Sequence, residues 1–238
     1  MSCIVVVPTY NELENVGRLV EAIRNLPGKL HLLIVDDNSP DGTGRVADEL
    51  SRQYPDEVFV YHRECKQGLG RAYVAAFQHV LKNFNYTFII QMDCDFSHDP
   101  VYIADFLKAI QNADLVLGSR YITGVNVVNW DFKRLVLSKC ASAYVRLITG
   151  MPYTDLTGGF KCWRRTTLEA LQLDRIFSLG YLFQVETTYR VWRARRFKIV
   201  ETPIIFYERN RGRSKIHPRI ILEAFLGVIR LRFTRTRG

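Results

Sequence analysis

The chain has 238 residues, 47% hydrophobic and 24% charged, with a formal net charge of +9. That balance is ordinary for a soluble globular protein, and the length suits one large domain with a substantial core. Its five cysteines (Cys3, Cys65, Cys94, Cys140 and Cys162) are scattered, with no Cys-x-x-Cys and no His/Cys cluster, which argues against a disulfide framework or zinc site and for a reducing compartment. The opening Met1-Ser2-Cys3-Ile4-Val5-Val6-Val7-Pro8 lacks the basic flank and long apolar run of a signal peptide, and reads as a first strand. From there, strand-like runs fall at Cys3–Val7, Leu30–Val35, Val58–Tyr61, Tyr86–Met92 and Leu115–Gly118. Helical patterns lie between them at Glu12–Asn25, Thr43–Gln53, Gly70–Leu81 and Val101–Gln111. This alternation predicts a mostly parallel sheet with helices on both faces, and such sheets bind ligands at the carboxyl ends of their strands. Polar clusters sit at three of those ends: Pro8-Thr9-Tyr10-Asn11-Glu12, Asp36-Asp37-Asn38-Ser39 and Asp93-Cys94-Asp95.

After Gly118 the rhythm breaks. A glycine-containing loop follows Ser119-Arg120-Tyr121, then a helical stretch near Phe132–Leu147 and the turn-rich Thr154-Asp155-Leu156-Thr157-Gly158-Gly159. A short strand, a helix at Gly180–Ala194 and a last strand at Lys198–Phe206 complete the pattern, with no repeat or linker. We therefore expect a catalytic domain over residues 1–207, with 208–238 as its basic loop and amphipathic C-terminal helix. From Arg209 onward nine basic residues face a single acidic one, Glu223. The apolar residues between Pro218 and Phe233 make a helix of 16 residues, short of the roughly 20 that span a bilayer. It suits either a core helix or an interfacial one, where each basic residue is worth about 1 kcal/mol near anionic lipid.

The chemistry centres on Asp93 and Asp95. On an extended chain residues i and i+2 face the same side, so both carboxylates are expected to face one ligand. A hard cation such as Mg2+ or Mn2+ uses one or two carboxylates together with substrate phosphates; a surface pair is the plainer reading. Asp37 at the second strand end is placed to receive a base N–H or a ribose hydroxyl. Pro8, Tyr10 and Glu12 are placed as the walls of a nucleoside pocket, although Asn11 or Glu12 could instead cap the first helix. Asp155 either orients a substrate or makes an Asx turn.

Pro8-Thr9-Tyr10-Asn11-Glu12, Asp36-Asp37-Asn38-Ser39-Pro40-Asp41-Gly42-Thr43 and Asp93-Cys94-Asp95-Phe96-Ser97-His98 resemble the family 2 glycosyltransferases of GT-A fold, an α/β class with a Rossmann-like sheet. Gly118-Ser119-Arg120-Tyr121, Trp130-Asp131-Phe132-Lys133-Arg134 with Ser138, Asp155 to Phe160, Gly180 to Glu186 and Glu208 to Lys215 narrow the resemblance to the dolichol- or polyprenol-phosphate mannose synthases. The resemblance implies inverting transfer of mannose from GDP-mannose to a dolichyl or polyprenyl monophosphate. It implies that Pro8, Tyr10, Glu12, Asp37 and Asp93 bind the nucleoside, and that Asp93 and Asp95 hold Mg2+ or Mn2+. Arg120, Arg134 and Ser138 would bind the acceptor phosphate, with Asp95, Arg120 and Arg134 nearest the chemistry, while Arg209 and Lys215 would contact the donor diphosphate. Ser97 stands where some members have Gln as a further metal ligand, and Cys94 replaces a usual Ala.

Such a reaction needs no side-chain base, because a phosphate monoester with a second pKa of about 6 is already ionised at neutral pH. A lipid acceptor implies a peripheral protein on the cytosolic face of a membrane, contacting it through Phe132–Leu147 and Pro218–Phe233, with a small membrane-anchor protein as a further partner. The rival within the family is a UDP-glucose-dependent polyprenyl-phosphate glucosyltransferase. A nucleic-acid-binding role is disfavoured by the apolar helix inside the basic tail, and a nucleotidyltransferase by the lack of a glycine-rich loop after the first strand.

Overall fold

The computed structural model describes residues 2–208 and 218–233. Its elements in chain order are β1 (Cys3–Thr9), α1 (Leu13–Arg24), β2 (Leu30–Asp36), α2 (Thr43–Gln53), β3 (Val58–His62), α3 (Leu69–Asn83), β4 (Phe88–Gln91), α4 (Ile103–Ala109) and β5 (Leu115–Ser119). The second half adds β6 (Val127–Val128), α5 (Phe132–Thr149), β7 (Lys161–Arg164), α6 (Arg165–Ala170), α7 (Leu182–Arg193), β8 (Ile199–Pro203), β9 (Phe206–Tyr207) and α8 (Pro218–Phe233). The main sheet runs β3-β2-β1-β4-β7-β5-β8, and β6 pairs with β9 in a small second sheet.

β1 pairs in parallel with both β2 and β4. The order therefore reverses at β1, which opens a crevice at the carboxyl ends of these three strands. β7 is antiparallel between β4 and β5, so the short strand expected after Gly159 interrupts an otherwise parallel sheet. Both sheet faces are buried, as the β-branched runs require. Val5 and Val7 pack with Val16, Leu19 and Ile23 of α1 and Phe106 of α4, while Ile4 and Val6 face Tyr73 and Phe77 of α3 and Phe183 of α7.

Three expected elements differ. The helix expected over Val101–Gln111 is a regular helix only from Ile103 to Ala109, flanked by 3-10 turns; Asp99 caps the start by accepting the Val101 amide, with Pro100 fixing the first turn. The strand expected over Lys198–Phe206 divides into β8 and β9. β4 ends at Gln91, so Asp93 and Asp95 lie beyond the strand, in a bend where Phe96 has φ +59°. Strand alternation therefore does not orient the two carboxylates.

α8 packs on α5 and α7 through Val228 and Leu231, which share a core with Val145, Leu182, Val185 and Tyr189. Close approach requires Gly227, where a Cβ would stand 2.1 Å from Leu182 Cδ2. Tyr144 stacks on Phe225 at 4.5 Å. Most of α5 is not buried: Phe132 is 78% and Leu147 82% exposed, as is Phe233 of α8 at 79%.

Candidate active site

The loops after β1 and β2 brace each other. Buried Asp36 accepts the Thr9 hydroxyl (3.2 Å), the Ser39 hydroxyl (2.6 Å) and the Ser39 amide (3.1 Å). Asp41 accepts the Thr43 amide and hydroxyl and the Leu13 amide. Burial would raise its carboxyl, but these bonds hold it below the usual carboxylate range. The Glu12 amide donates to Thr43 Oγ1 at 2.9 Å. Glu12 occupies the N-cap position of α1 without a side-chain capping bond, and its Oε2 accepts from Asn15 instead. Asn11 and Asn38 both sit at φ +57°, a region asparagine tolerates.

On this frame Asp37 is buried, with the Arg63 guanidinium on its carboxylate. Burial raises the Asp37 carboxyl against the opposing pull of Arg63. Tyr10 lies under the Lys66 ammonium at 3.9 Å, and half-buried Pro8 closes the end of β1 opposite Val35. Sequence reading missed Arg63 and Lys66, although both follow the end of β3, at the same sheet edge as the other polar clusters. Gly68 and Gly70 serve the backbone entering α3: Gly68 has φ +101°, and a Cβ on Gly70 would meet Ser178 O at 2.3 Å.

Asp93 accepts the buried Tyr73 hydroxyl at 3.2 Å and donates its amide to His98 Nδ1 at 3.1 Å. Burial lowers the His98 pKa, so the ring is neutral with its proton on Nε2. Ser97 gives both its hydroxyl (2.6 Å) and its amide (3.1 Å) to Asp95 Oδ1. This turn, rather than strand alternation, orients Asp95. Among the described residues no three His, Cys, Asp or Glu side chains form a metal-ligating group. Asp93 and Asp95 are two hard oxygen donors, the number Mg2+ or Mn2+ takes from protein when substrate phosphates fill the remaining positions. The residues present fit a divalent ion on those terms.

A second polar group lies at the end of β5. Arg120 is 6% exposed. Its Nε donates to Asp155 Oδ2 (2.6 Å), its Nη2 to Asp155 Oδ1 (2.7 Å) and Thr157 Oγ1 (2.8 Å), and its amide to Asp155 Oδ2 (3.1 Å). Burial alone would raise the Asp155 carboxyl, but the guanidinium overrides it and holds that carboxyl low. Asp155 also accepts the Thr157 amide at 3.3 Å, so it makes the turn and the ion pair together. The Arg120 charge is thus already matched by Asp155; what Arg120 still offers is directed N–H donors.

Arg134 meets Glu208 at 2.7 Å and lies 4.4 Å over Trp130. Asp131 caps α5 by accepting the Arg134 amide at 2.7 Å. Ser138 accepts the Tyr121 hydroxyl at 2.8 Å, and Arg120 lies 5.2 Å from the Tyr121 ring and 5.4 Å from that of Trp130. Arg120, Arg134 and Ser138 are therefore gathered around one aromatic pair. Phe206 joins this group to the loop of Asp93 and Asp95, being 5.4 Å from Arg120 and 5.5 Å from His98. An open pocket of about 520 Å³ is lined by both Asp95 and Glu208, with Arg18, Asn129 and Tyr207 among its walls. Arg209 and Lys215 lie outside the described residues.

A crevice at a strand-order reversal, two aspartates at its edge and a second group holding Arg120 and Arg134 beyond the end of β5 are the features of a GT-A glycosyltransferase. The model of "Glycosyl transferase family 2" matches residues 4–172, and the chain belongs to that family. It is 44% identical to the polyprenol monophosphomannose synthase of Mycolicibacterium smegmatis, over 99% of this chain and 90% of that protein. It is 42% identical to the undecaprenyl-phosphate mannosyltransferase of Micrococcus luteus, over 97% of this chain and 93% of that one. Among solved structures, the glucosyl-3-phosphoglycerate synthase of Mycobacterium tuberculosis with Mn2+, uridine diphosphate and phosphoglyceric acid superposes with a TM-score of 0.69 at 16% identity, covering 100% of this chain and 80% of that chain. The GT-A expectation is met.

Proposed function

We propose that the protein transfers mannose from GDP-mannose to a polyprenyl or dolichyl monophosphate, with inversion and with the help of Mg2+ or Mn2+. The observation that carries this reading is full-length similarity, above 40% identity, to two proteins named for mannosyl transfer to polyprenyl phosphate. In this reading Asp37, Pro8, Tyr10 and Glu12 hold the guanosine, with Asp93 on the ribose side. A divalent ion on Asp93 and Asp95 would neutralise charge on the departing diphosphate; Arg209 and Lys215 are assigned to that diphosphate from sequence alone. Arg120, Arg134 and Ser138 hold the acceptor phosphate, which attacks the sugar from the opposite face. Arg134 is the more exposed charge, its side chain 32% exposed against 7% for Arg120, and its pair with Glu208 is a weak one. Arg120 supplies fixed geometry.

The acceptor is a lipid, so the site must meet a membrane surface. Among the described residues no helix is long and apolar enough to cross a membrane. Phe132, Val136, Leu137 and Leu147 of α5 and Phe225, Leu226 and Phe233 of α8 are exposed, beside Lys133, Lys139, Arg146, Arg230 and Arg232. We assign these two helices to the cytosolic face of the membrane, where exposed apolar side chains with basic neighbours suit an interfacial position.

The test is transfer to a short polyprenyl phosphate with labelled GDP-mannose and UDP-glucose in parallel. Label entering the lipid from GDP-mannose alone is the expected result. Entry from UDP-glucose alone would replace the donor assignment, and entry from neither with anionic vesicles present would overturn the acceptor assignment.

A further inference from the structure

Glu201 carries neither a charge partner among the described residues nor a place in any of the sequence motifs, yet it organises the turn on which Arg120 depends. It lies on β8 opposite Leu117 of β5, half-buried. Its two oxygens accept the Thr154 amide at 2.9 Å each. Oε1 also accepts the Thr154 hydroxyl at 2.7 Å and the Asp155 amide at 3.0 Å. One carboxylate therefore satisfies three donors of a segment that belongs to no helix or strand. A charged acceptor makes each of these bonds stronger than its neutral counterpart. The Thr154 hydroxyl has one proton, given to Glu201, so Ser119 Oγ, 2.8 Å away, donates to Thr154. Glu201 thus holds the turn, and the turn is tied back to β5 at the residue before Arg120.

We propose that Glu201 is a positioning residue that sets the aim of the Arg120 guanidinium. Arginine has five N–H donors in a rigid fork. In Arg120, Nε and both protons of Nη2 are committed to Asp155 and Thr157, whereas Nη1 makes no hydrogen bond among the described residues. The direction of Nη1 follows from where Asp155 stands, and Asp155 stands where Glu201 fixes its amide. Without Glu201 the Thr154 and Asp155 amides lose their acceptor, the turn shifts, and the fork rotates with its carboxylate. The catalytic consequence rests on the reading of Arg120 as an acceptor-phosphate group; the positioning does not.

The experiment has two arms. In the free protein, the Arg120 Nε–H resonance is followed by NMR, assigned by its loss in Arg120→Lys. In Glu201→Ala it is expected to shift and to exchange with solvent about tenfold faster or more, with Arg164 and Arg165 unmoved. Glu201→Gln keeps one acceptor oxygen and should fall between, and it carries the test if the alanine variant does not fold. An unmoved Arg120 resonance overturns the proposal. In the kinetic arm, KM for polyprenyl phosphate is expected to rise about tenfold in Glu201→Ala with KM for the sugar donor unchanged. Equal rises in both would show a general structural role and overturn positioning. A shifted resonance in a protein whose wild type glycosylates no polyprenyl phosphate would leave Glu201 as assigned and overturn the acceptor reading instead.

Discussion

The polar residues around the ends of β1, β2 and β4 combine turns closed by near neighbours with contacts from other strands and helices, such as Arg63 on Asp37 and Tyr73 on Asp93, whereas the carboxylates around the end of β5 serve residues far along the chain. Asp36 takes Ser39, Asp41 takes Thr43 and Asp95 takes Ser97, partners two or three positions away. Arg120 takes Asp155, 35 positions on, Thr154 takes Glu201, 47 on, and Arg134 takes Glu208, 74 on. The turns of the first half-site are what a short motif can encode. The second exists only once β5, β7 and β8 have been brought side by side. Loss of a part-exposed turn carboxylate such as Asp95 should cost chemistry with little stability, and damage to the second half-site should cost both.

The largest expected effect separates the two. Asp95→Ala removes one of two hard oxygen donors from a half-exposed bend, and should lower transfer about a thousandfold while the thermal midpoint stays near that of wild type. Asp155→Ala leaves the buried Arg120 guanidinium without its counter-charge, which should cost about 3–5 kcal/mol in urea unfolding. If Asp95→Ala proved the more destabilising of the two, the contrast between the halves would fail.

A smaller effect concerns the layer beneath the second half-site. Lys161 of β7 is buried, and its Nζ donates to Gln184 O, Thr187 Oγ1 and Thr188 Oγ1 at 2.7, 3.3 and 3.0 Å. Burial lowers its pKa to about 7. Unfolded lysine keeps its proton to about pH 10.4. Above pH 7 the unfolded chain therefore binds more protons than the folded one, and stability rises with pH by up to about 1.4 kcal/mol per unit. Buried Cys3, with its thiol pushed up to about 12, works in the opposite direction above about pH 8.5, where an unfolded thiol ionises. Urea midpoints at pH 7 and 8.5 should rise in wild type and stay level in Lys161→Met; parallel behaviour of the two would contradict the assignment. The smallest effect is at the solvent-facing pair: Glu208→Gln should change stability by less than about 1 kcal/mol, as read by the same unfolding curves.

The same contrast explains what the sequence disclosed. β1 to β5 and four of their helices are visible because buried parallel strands are continuous apolar runs and the intervening helices show their own periodicity. Asp37, Asp93 and Asp95 stand out because polar clusters after such runs are conspicuous. Arg63 escaped notice because a single arginine after β3 looks like any surface charge until its burial against Asp37 is seen. Glu201 is a lone acidic residue in an edge strand, and no local pattern marks its hold on Thr154. Asp155 looked like a turn residue, which it is; its ion pair with Arg120 depends on β7 inserting antiparallel between β4 and β5, a topology that residue patterns do not specify. The bend at Phe96 was missed for a related reason, since a bulky residue at positive φ runs against its local preference.

The most direct test of a divided site is a crossed comparison of Michaelis constants in Asp37→Asn and Arg134→Ala, with GDP-mannose and a short polyprenyl phosphate varied in turn. Asp37→Asn is expected to raise the donor KM about tenfold and leave the acceptor KM alone, and Arg134→Ala to do the reverse. Both variants raising the same constant, or each raising both equally, would contradict the division of the site into a donor half at β1, β2 and β4 and an acceptor half at β5 and α5.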